Sequence, residues 1–184
     1  MMGADLLNTA IGAFIAFLPI VIIGGLVWFF LRLREQRRLV GNPAALAATL
    51  VARSEQILRN AKRTANRHLS AAGHSEPPGF ESELRMFWWF ALDYWLKQDA
   101  LREPFHTHLA EVSGRDHPAV LDRFDAYGQA VNEAKGDTTA AFMGVGNKLA
   151  EFSGIPRSIA WILSPELFTK AGELVLQEKK ALKL

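Results

Sequence analysis

A long run of uncharged residues near the start of the chain most constrains what it can fold into. Residues 11–31 read IGAFIAFLPIVIIGGLVWFFL, which is 21 residues without a charged side chain. A helix of that length spans about 30 Å, the thickness of the hydrocarbon core of a bilayer. Pro19 and the pair Gly24–Gly25 would weaken a soluble helix, but a membrane helix tolerates them. We therefore predict a single transmembrane helix over 11–31, preceded by a short extracytoplasmic N-terminus, residues 1–10.

The charges on either side of this run predict its orientation. Residues 1–10 contain no lysine or arginine, whereas four arginines follow the run: Arg32, Arg34, Arg37 and Arg38. The positive-inside rule places the arginine-bearing end in the cytoplasm. A cleaved signal peptide would need a basic start and a small-residue cleavage site, and neither is present. We expect a single-pass protein of the cell membrane, such as a bacterial inner membrane, with residues 32–184 cytoplasmic.

The basic character of the chain is concentrated in residues 32–72, which carry nine lysines and arginines against two glutamates. Asn42 followed by Pro43 is typical of a helix start, and we predict a long basic juxtamembrane helix over 43–72. The simplest interpretation of its cations is a solvated helix face. The second is contact with anionic lipid headgroups, together with the four arginines after the membrane segment, and nucleic acid comes third because no recognised binding motif is present. The candidate lipid contacts in this helix are Arg59, Lys62, Arg63 and Arg67.

A loop-forming stretch, GHSEPPGF at 73–80, contains two glycines and two prolines and predicts a linker. Beyond it, no segment shows sustained alternation of polar and β-branched residues, so we predict an all-α fold without strands. A small cytoplasmic helical domain is expected over 81–184. Its capping and breaking residues predict helices over about 81–102, 103–113, 118–135, 138–153, 156–163 and 165–180.

The first of these predicted helices contains the stretch MFWWFALDYWL, which holds three of the five tryptophans of the chain. A helix of eleven residues is only about 16 Å long, which is too short to span a bilayer. Leu84, Trp88 and Trp95 fall on one side of a helical wheel, and we predict that they anchor the core of the domain.

The other sides of this helix are also apolar. Met86, Trp89 and Phe90 lie there, and we predict that they contact the basic helix, another protein or a second copy of the chain, since a small domain would leave them uncovered. Asp93 is the ionisable residue of the aromatic stretch. We expect it to pair on the helix surface with Lys97, four residues further on.

Residue types with catalytic or metal-binding chemistry are sparse. The chain has no cysteine, which excludes thiol nucleophiles, disulfides and Cys-ligated metals. Gly144 and Gly146 lack the spacing of a phosphate-binding loop and are better explained by closely packed helices. Glu103, His106 and His108 form the best candidate metal region, but His106 and His108 do not share a helix face. We therefore predict no catalytic residue, no metal and no cofactor.

Together these features predict a non-enzymatic, membrane-anchored scaffold or accessory subunit whose cytoplasmic helical domain binds a protein partner. One alternative is a peripheral regulator whose basic helix binds anionic lipid, with nucleic acid less favoured. The other is a helical metal-binding enzyme that uses the Glu103/His106/His108 region.

Overall fold

The computed structural model describes residues 42–182 and 184. The predicted membrane segment 11–31 and the four arginines that follow it lie outside these residues. The described chain is helical and has no β-strand, which confirms the all-α fold class. None of its helices combines the length and apolar character needed to cross a membrane. The helices are α1 (Pro43–Ala71), α2 (Phe80–Leu96), α3 (Asp99–Ser113), α4 (His117–Glu133), α5 (Thr138–Ser153) and α6 (Arg157–Ala181), with a short 3-10 turn at Gly114–Asp116.

Local capping chemistry sets several helix ends at the residues where the sequence predicts them. The Oδ1 atom of Asn42 accepts a 3.1 Å hydrogen bond from the backbone N–H three residues on, and Pro43 is the first residue of α1. Asp137 accepts two such backbone hydrogen bonds at the start of α5. Gly154 ends α5 with a φ of +74°, a left-handed conformation that glycine adopts readily.

The helix α1 belongs to the same compact unit as the helices after it. Residues 42–182 form that unit, and α1 packs against α2, α3 and α6 within it. Its inward face is buried at helical spacing, for example at Leu50, Leu58 and Ala65. The predicted linker, 73–80, lies inside that unit, between α1 and α2. An apolar stripe on a helix must be covered, and α3 and α6 cover this one.

The helix predicted over 81–102 is two helices in the structure. The first, α2, ends at Leu96, and Lys97 adopts a φ of +59° before α3 begins. Pro104 was predicted to start a helix, but it lies inside α3. The reversal after α2 allows α3 to pack against α1 and α2 and to bury Phe105 and Leu109. No glycine or proline marks this break in the sequence.

The two helices predicted over 156–163 and 165–180 form one continuous helix, α6, with Pro165 in its interior. Ser164 is buried, and its hydroxyl donates to the carbonyl of Phe142 at 3.2 Å. Gly146 of α5 permits this approach, because a Cβ atom there would lie 2.9 Å from Ser164 Oγ. Packing along α5 thus keeps α6 continuous despite the hydrogen bond that Pro165 cannot donate.

The core of the unit is organised around α2, which contacts α1, α3, α4, α5 and α6. Phe80 and Phe87 lie on one side of it and Leu92 on another, and all three are fully buried. A helix that is apolar on nearly every side requires such an enclosure. The basic helix α1, one of the partners that we predict for the exposed side of this helix, is part of the enclosure.

Candidate functional site

The aromatic stretch of α2 lies inside the protein. Leu84 and Trp88 are buried, and the indole N–H of Trp88 donates to Ser54 Oγ of α1 at 2.6 Å. Trp95 is half-buried, and its indole N–H donates to the carbonyl of Phe168 in α6 at 2.9 Å. Two of the three predicted core anchors thus connect α2 to its neighbours, Trp88 to α1 and Trp95 to α6.

The residues predicted to contact a partner are also internal. Trp89 is 6% exposed and Phe90 is 4% exposed, while Met86 is half-buried and packs against the same core. Phe90 stacks on Tyr127 of α4 with ring centroids 5.3 Å apart. Of the partners predicted for Met86, Trp89 and Phe90, the basic helix α1 packs against α2 within this unit, as do α3 and α4. Trp89 and Phe90 are thereby buried and are not open to another protein or a second copy.

Asp93 forms a buried ionic cluster rather than the expected surface pair with Lys97. It is 3% exposed, and both of its oxygens accept hydrogen bonds from the Arg102 guanidinium, at 2.9 and 2.5 Å. His106 Nε2 lies 2.7 Å from Asp93 Oδ1. Arg102 and His106 both belong to α3, so the reversal at Lys97 brings them onto Asp93.

The electrostatics of this cluster keep Asp93 ionised. Burial by itself would raise the pKa of the Asp93 carboxyl, but the hydrogen bonds from His106 and Arg102 outweigh burial and hold this pKa below its ordinary value. The hydrogen bond to Asp93 in turn raises the pKa of Arg102. A carboxylate held this way accepts protons poorly, so the cluster suits a structural clamp between α2 and α3 better than a catalytic base.

The three residues of the candidate metal region, Glu103, His106 and His108, do not come together at one point in the structure. His106 faces Asp93, and the exposed Glu103 lines the same surface hollow as His106, whereas His108 Nδ1 lies 3.2 Å from Glu111 Oε2. Among residues 42–182 and 184, no three His, Asp or Glu side chains are grouped so that they could hold a metal ion. The alternative of a metal enzyme finds no support in this geometry.

A second buried carboxylate, which sequence reasoning missed, joins α2 to α4. Glu83 is 5% exposed, and it accepts hydrogen bonds from the Tyr127 hydroxyl at 2.7 Å and from Arg123 Nε at 2.9 Å. Burial, reinforced by the charge of Glu83, raises the pKa of Tyr127 well above its ordinary value. The available signal was that Glu83 shares the helix face of Phe87 and Phe90, where an acidic residue requires a buried partner.

The cations of α1 form a line on its solvent face, which we call the arginine stripe: Arg59, Arg63 and Arg67. They follow one another at intervals of four residues, so they lie on one side of the helix, and all three are exposed. Their guanidinium groups donate to the neutral side chains of Gln56, Asn60 and Thr64. None of the three forms an ion pair with a carboxylate of the described chain.

The other two ionic groups close to the stripe are already paired. Lys62, predicted to share the lipid contact, instead donates to Glu76 at 3.1 Å and to Glu81 at 2.5 Å. The hydrogen bonds to Glu81 and Glu76 raise the pKa of Lys62. Glu55, the acidic residue of α1, accepts from Arg85 of α2 at 2.6 Å. The solvent face of α1 is therefore left with the positive charge of the stripe.

A few large apolar side chains are exposed on α5 and α6. Met143 is 45% exposed, Trp161 is 41% exposed and Ile162 is 48% exposed. The indole N–H of Trp161 donates to Asn147 of α5 at 3.0 Å, and Met143 lies one turn before Asn147. Exposed aromatic and methionine side chains are typical of protein interfaces. We call these three residues the α5–α6 apolar surface.

Relatives give no independent indication of what these surfaces do. Comparison of the chain with protein-family models, with curated proteins and with solved structures found no match. Function must therefore be inferred from the residues and their geometry.

Proposed function

We propose that this chain is a membrane-tethered, non-enzymatic accessory protein whose helical unit lies against anionic lipid through the arginine stripe of α1. The observation that carries the proposal is the stripe itself, because Arg59, Arg63 and Arg67 are exposed on one helix face and have no carboxylate partner among the described residues. The anchor at 11–31 and its cytoplasmic orientation are part of the proposal and rest on the sequence alone.

The distances along the chain are compatible with this contact. The eleven residues 32–42 between the predicted anchor and α1 can reach at most about 40 Å when extended. The 29 residues of α1 form a helix about 43 Å long. The stripe occupies the second half of this helix, so α1 would have to lie along the bilayer for all three arginines to reach the headgroups.

The expected energy is moderate and depends on salt. A Lys or Arg held near an anionic membrane surface contributes about 1 kcal/mol, so three arginines contribute about 3 kcal/mol, or roughly a 100-fold preference for anionic over neutral lipid. Counter-ions screen this attraction over about 10 Å at 0.1 M salt. The contact would therefore position a tethered unit reversibly rather than fix it.

Because the natural chain has no cysteine, one introduced cysteine can carry a fluorophore at a chosen position. A single fluorophore at Ala52→Cys, on the exposed side of α1, reports distance to acceptor-labelled lipid in nanodiscs. A fluorophore at the exposed Ala119→Cys of α4 is the reference. We expect energy transfer from position 52 to rise when phosphatidylserine is added to phosphatidylcholine and to fall again in high salt.

The variant R59Q/R63Q/R67Q should abolish the rise in energy transfer that phosphatidylserine causes. A matched control removes three exposed cations elsewhere, R115Q/R157Q/K180Q, and should retain it. Equal energy transfer in neutral and anionic nanodiscs, or an equal response of both triple variants, would contradict the proposal. A response to duplex DNA without a response to anionic lipid would also contradict it and favour nucleic acid.

A second candidate function, binding of a protein partner, is favoured by the α5–α6 apolar surface. It places the partner contact on Met143, Trp161 and Ile162 instead of on the buried Trp89 and Phe90. Ile162→Asp should then release a protein that co-purifies with the full chain from solubilised membranes. Val112→Asp, at a side chain that is also 48% exposed, is the matched control, and equal recovery with both variants would contradict this candidate.

A further inference from the structure

An aromatic groove opens where the end of α2 meets the start of α5. Its volume is about 430 Å³, within the range of small-molecule sites. Among the residues that line it are Tyr94, Trp95, Ala141, Phe142, Val145 and Phe168. Lys97, which ends α2, stands at its mouth.

The floor of this groove is held in place by contacts between its own rings. Phe168 lies 4.9 Å from Tyr94 and 5.8 Å from Phe142, measured between ring centroids. Trp95 is fixed by its 2.9 Å hydrogen bond to the carbonyl of Phe168. Tyr94 nevertheless remains 41% exposed, so its ring presents a surface to whatever enters the groove. A preformed aromatic floor lowers the ordering cost of binding.

Lys97 brings one positive charge to the groove. Lys97 forms no ion pair with a described carboxylate, and its Nζ atom lies 5.3 Å from the centroid of the Trp95 ring. Its backbone is in the left-handed region, with φ of +59°, a conformation that non-glycine residues keep only where the surroundings impose it. Asp137 also lines the groove, but its carboxylate already accepts two backbone hydrogen bonds at the start of α5.

We propose that this groove binds a small amphipathic carboxylate, with its apolar body against the ring of Tyr94 and its carboxylate at Lys97 Nζ. The aromatic floor selects a flat or acyl body, and the unpaired ammonium selects an anion over a neutral or cationic group. The adjoining hollow, which shares Tyr94 and Lys97, is also lined by Asp125 and Glu133. A cationic ligand is therefore the alternative that the experiment must separate.

Three probes of one shape and different charge make this test. The full chain in lipid nanodiscs is titrated with 2-naphthoate, 2-naphthamide and 2-naphthylmethylammonium by ligand-observed NMR, and empty nanodiscs correct for partition into lipid. We expect 2-naphthoate to bind about five-fold more tightly than the amide, as for a solvent-accessible ion pair. Lys97→Gln should remove this difference while leaving amide binding unchanged.

Filling the groove should abolish binding of all three probes there. Ala141→Phe places a ring in the groove, whereas Ala140→Phe places the same ring on the exposed side of α5 and should bind 2-naphthoate normally. If Ala141→Phe lowers the unfolding temperature sharply, Thr138→Phe at the exposed edge of the groove replaces it. The proposal is overturned if the ammonium probe binds most tightly, if Lys97→Gln leaves the carboxylate preference intact, or if a folded groove-filling variant still binds 2-naphthoate.

Discussion

Replacement of glycine by alanine should change the free energy of unfolding differently at two positions inside helices. Gly172 of α6 faces Trp95, and a Cβ atom there would lie 2.7 Å from Trp95 Cε2, 3.0 Å from Cδ2 and 3.1 Å from Cζ2. Trp95 cannot turn away easily, because its indole N–H is bonded to the carbonyl of Phe168. Gly128 of α4 has no atom within 4 Å of its Cβ position.

The change in the free energy of unfolding for each variant follows from two opposing contributions. Alanine is more favourable than glycine in a helix interior by about 1 kcal/mol, and both variants gain this. Overpacking a well-filled core costs about 1–3 kcal/mol, and only Gly172→Ala meets this cost. Gly128→Ala should therefore raise the free energy of unfolding by up to about 1 kcal/mol. Gly172→Ala should lie about 1–3 kcal/mol below Gly128→Ala.

Urea unfolding followed by the helical circular-dichroism signal measures both variants under the same conditions. Trp95→Phe in the Gly172→Ala background removes the nearest ring atoms and should recover part of the loss, which a double-mutant cycle quantifies. Equal shifts for the two glycine variants would refute the reasoning, because they would show that Trp95 does not occupy the space beside Gly172.

The remaining predictions concern buried side chains that the sequence placed elsewhere. Trp89→Ala should destabilise the protein by about 3–5 kcal/mol in thermal or urea unfolding, as for a core tryptophan, whereas loss of a surface contact would cost less than about 0.5 kcal/mol. Asp93→Asn should lower the free energy of unfolding at neutral pH by about 1–2 kcal/mol, since Arg102 and His106 partly regain water. The folded pKa of Asp93 is depressed, so its contribution is present above the unfolded pKa near 3.8 and is lost as the pH falls through the folded value. An acid-unfolding profile in which the wild type and Asp93→Asn lose stability in parallel below about pH 4 would contradict this assignment.

The two proposed functional surfaces use different chemistry and can be tested independently. The arginine stripe is a charged surface whose contact with lipid should weaken in salt. The groove beside Lys97 is an apolar pocket with one cation at its mouth, so salt should affect only the carboxylate preference of its ligand. A variant of the stripe should therefore leave binding of 2-naphthoate unchanged, and Lys97→Gln should leave the lipid response unchanged.

The sequence alone was sufficient to predict a helix end where that end depends only on residues next to it in the chain. Asn42, Asp137 and Gly154 satisfy the unpaired backbone groups at helix ends, and this chemistry can be read from the residues alone. The helical periodicity of 43–72 and the absence of strand patterns likewise predicted α1 and the all-α class. The arginine stripe was partly predictable, because the spacing of Arg59, Arg63 and Arg67 places them on one face of any helix.

Only the tertiary structure decided which surfaces are open and which charges are paired. Trp89 and Phe90 are buried because α1, α4 and α6 pack around α2, and Asp93 meets Arg102 and His106 because the chain reverses at Lys97. The reversal depends on the burial gained when α3 packs back against α1 and α2, and no residue near Lys97 encodes that gain. Burial is a property of the assembled helices, so periodicity could say which face of a helix is apolar but not how many neighbours would cover it.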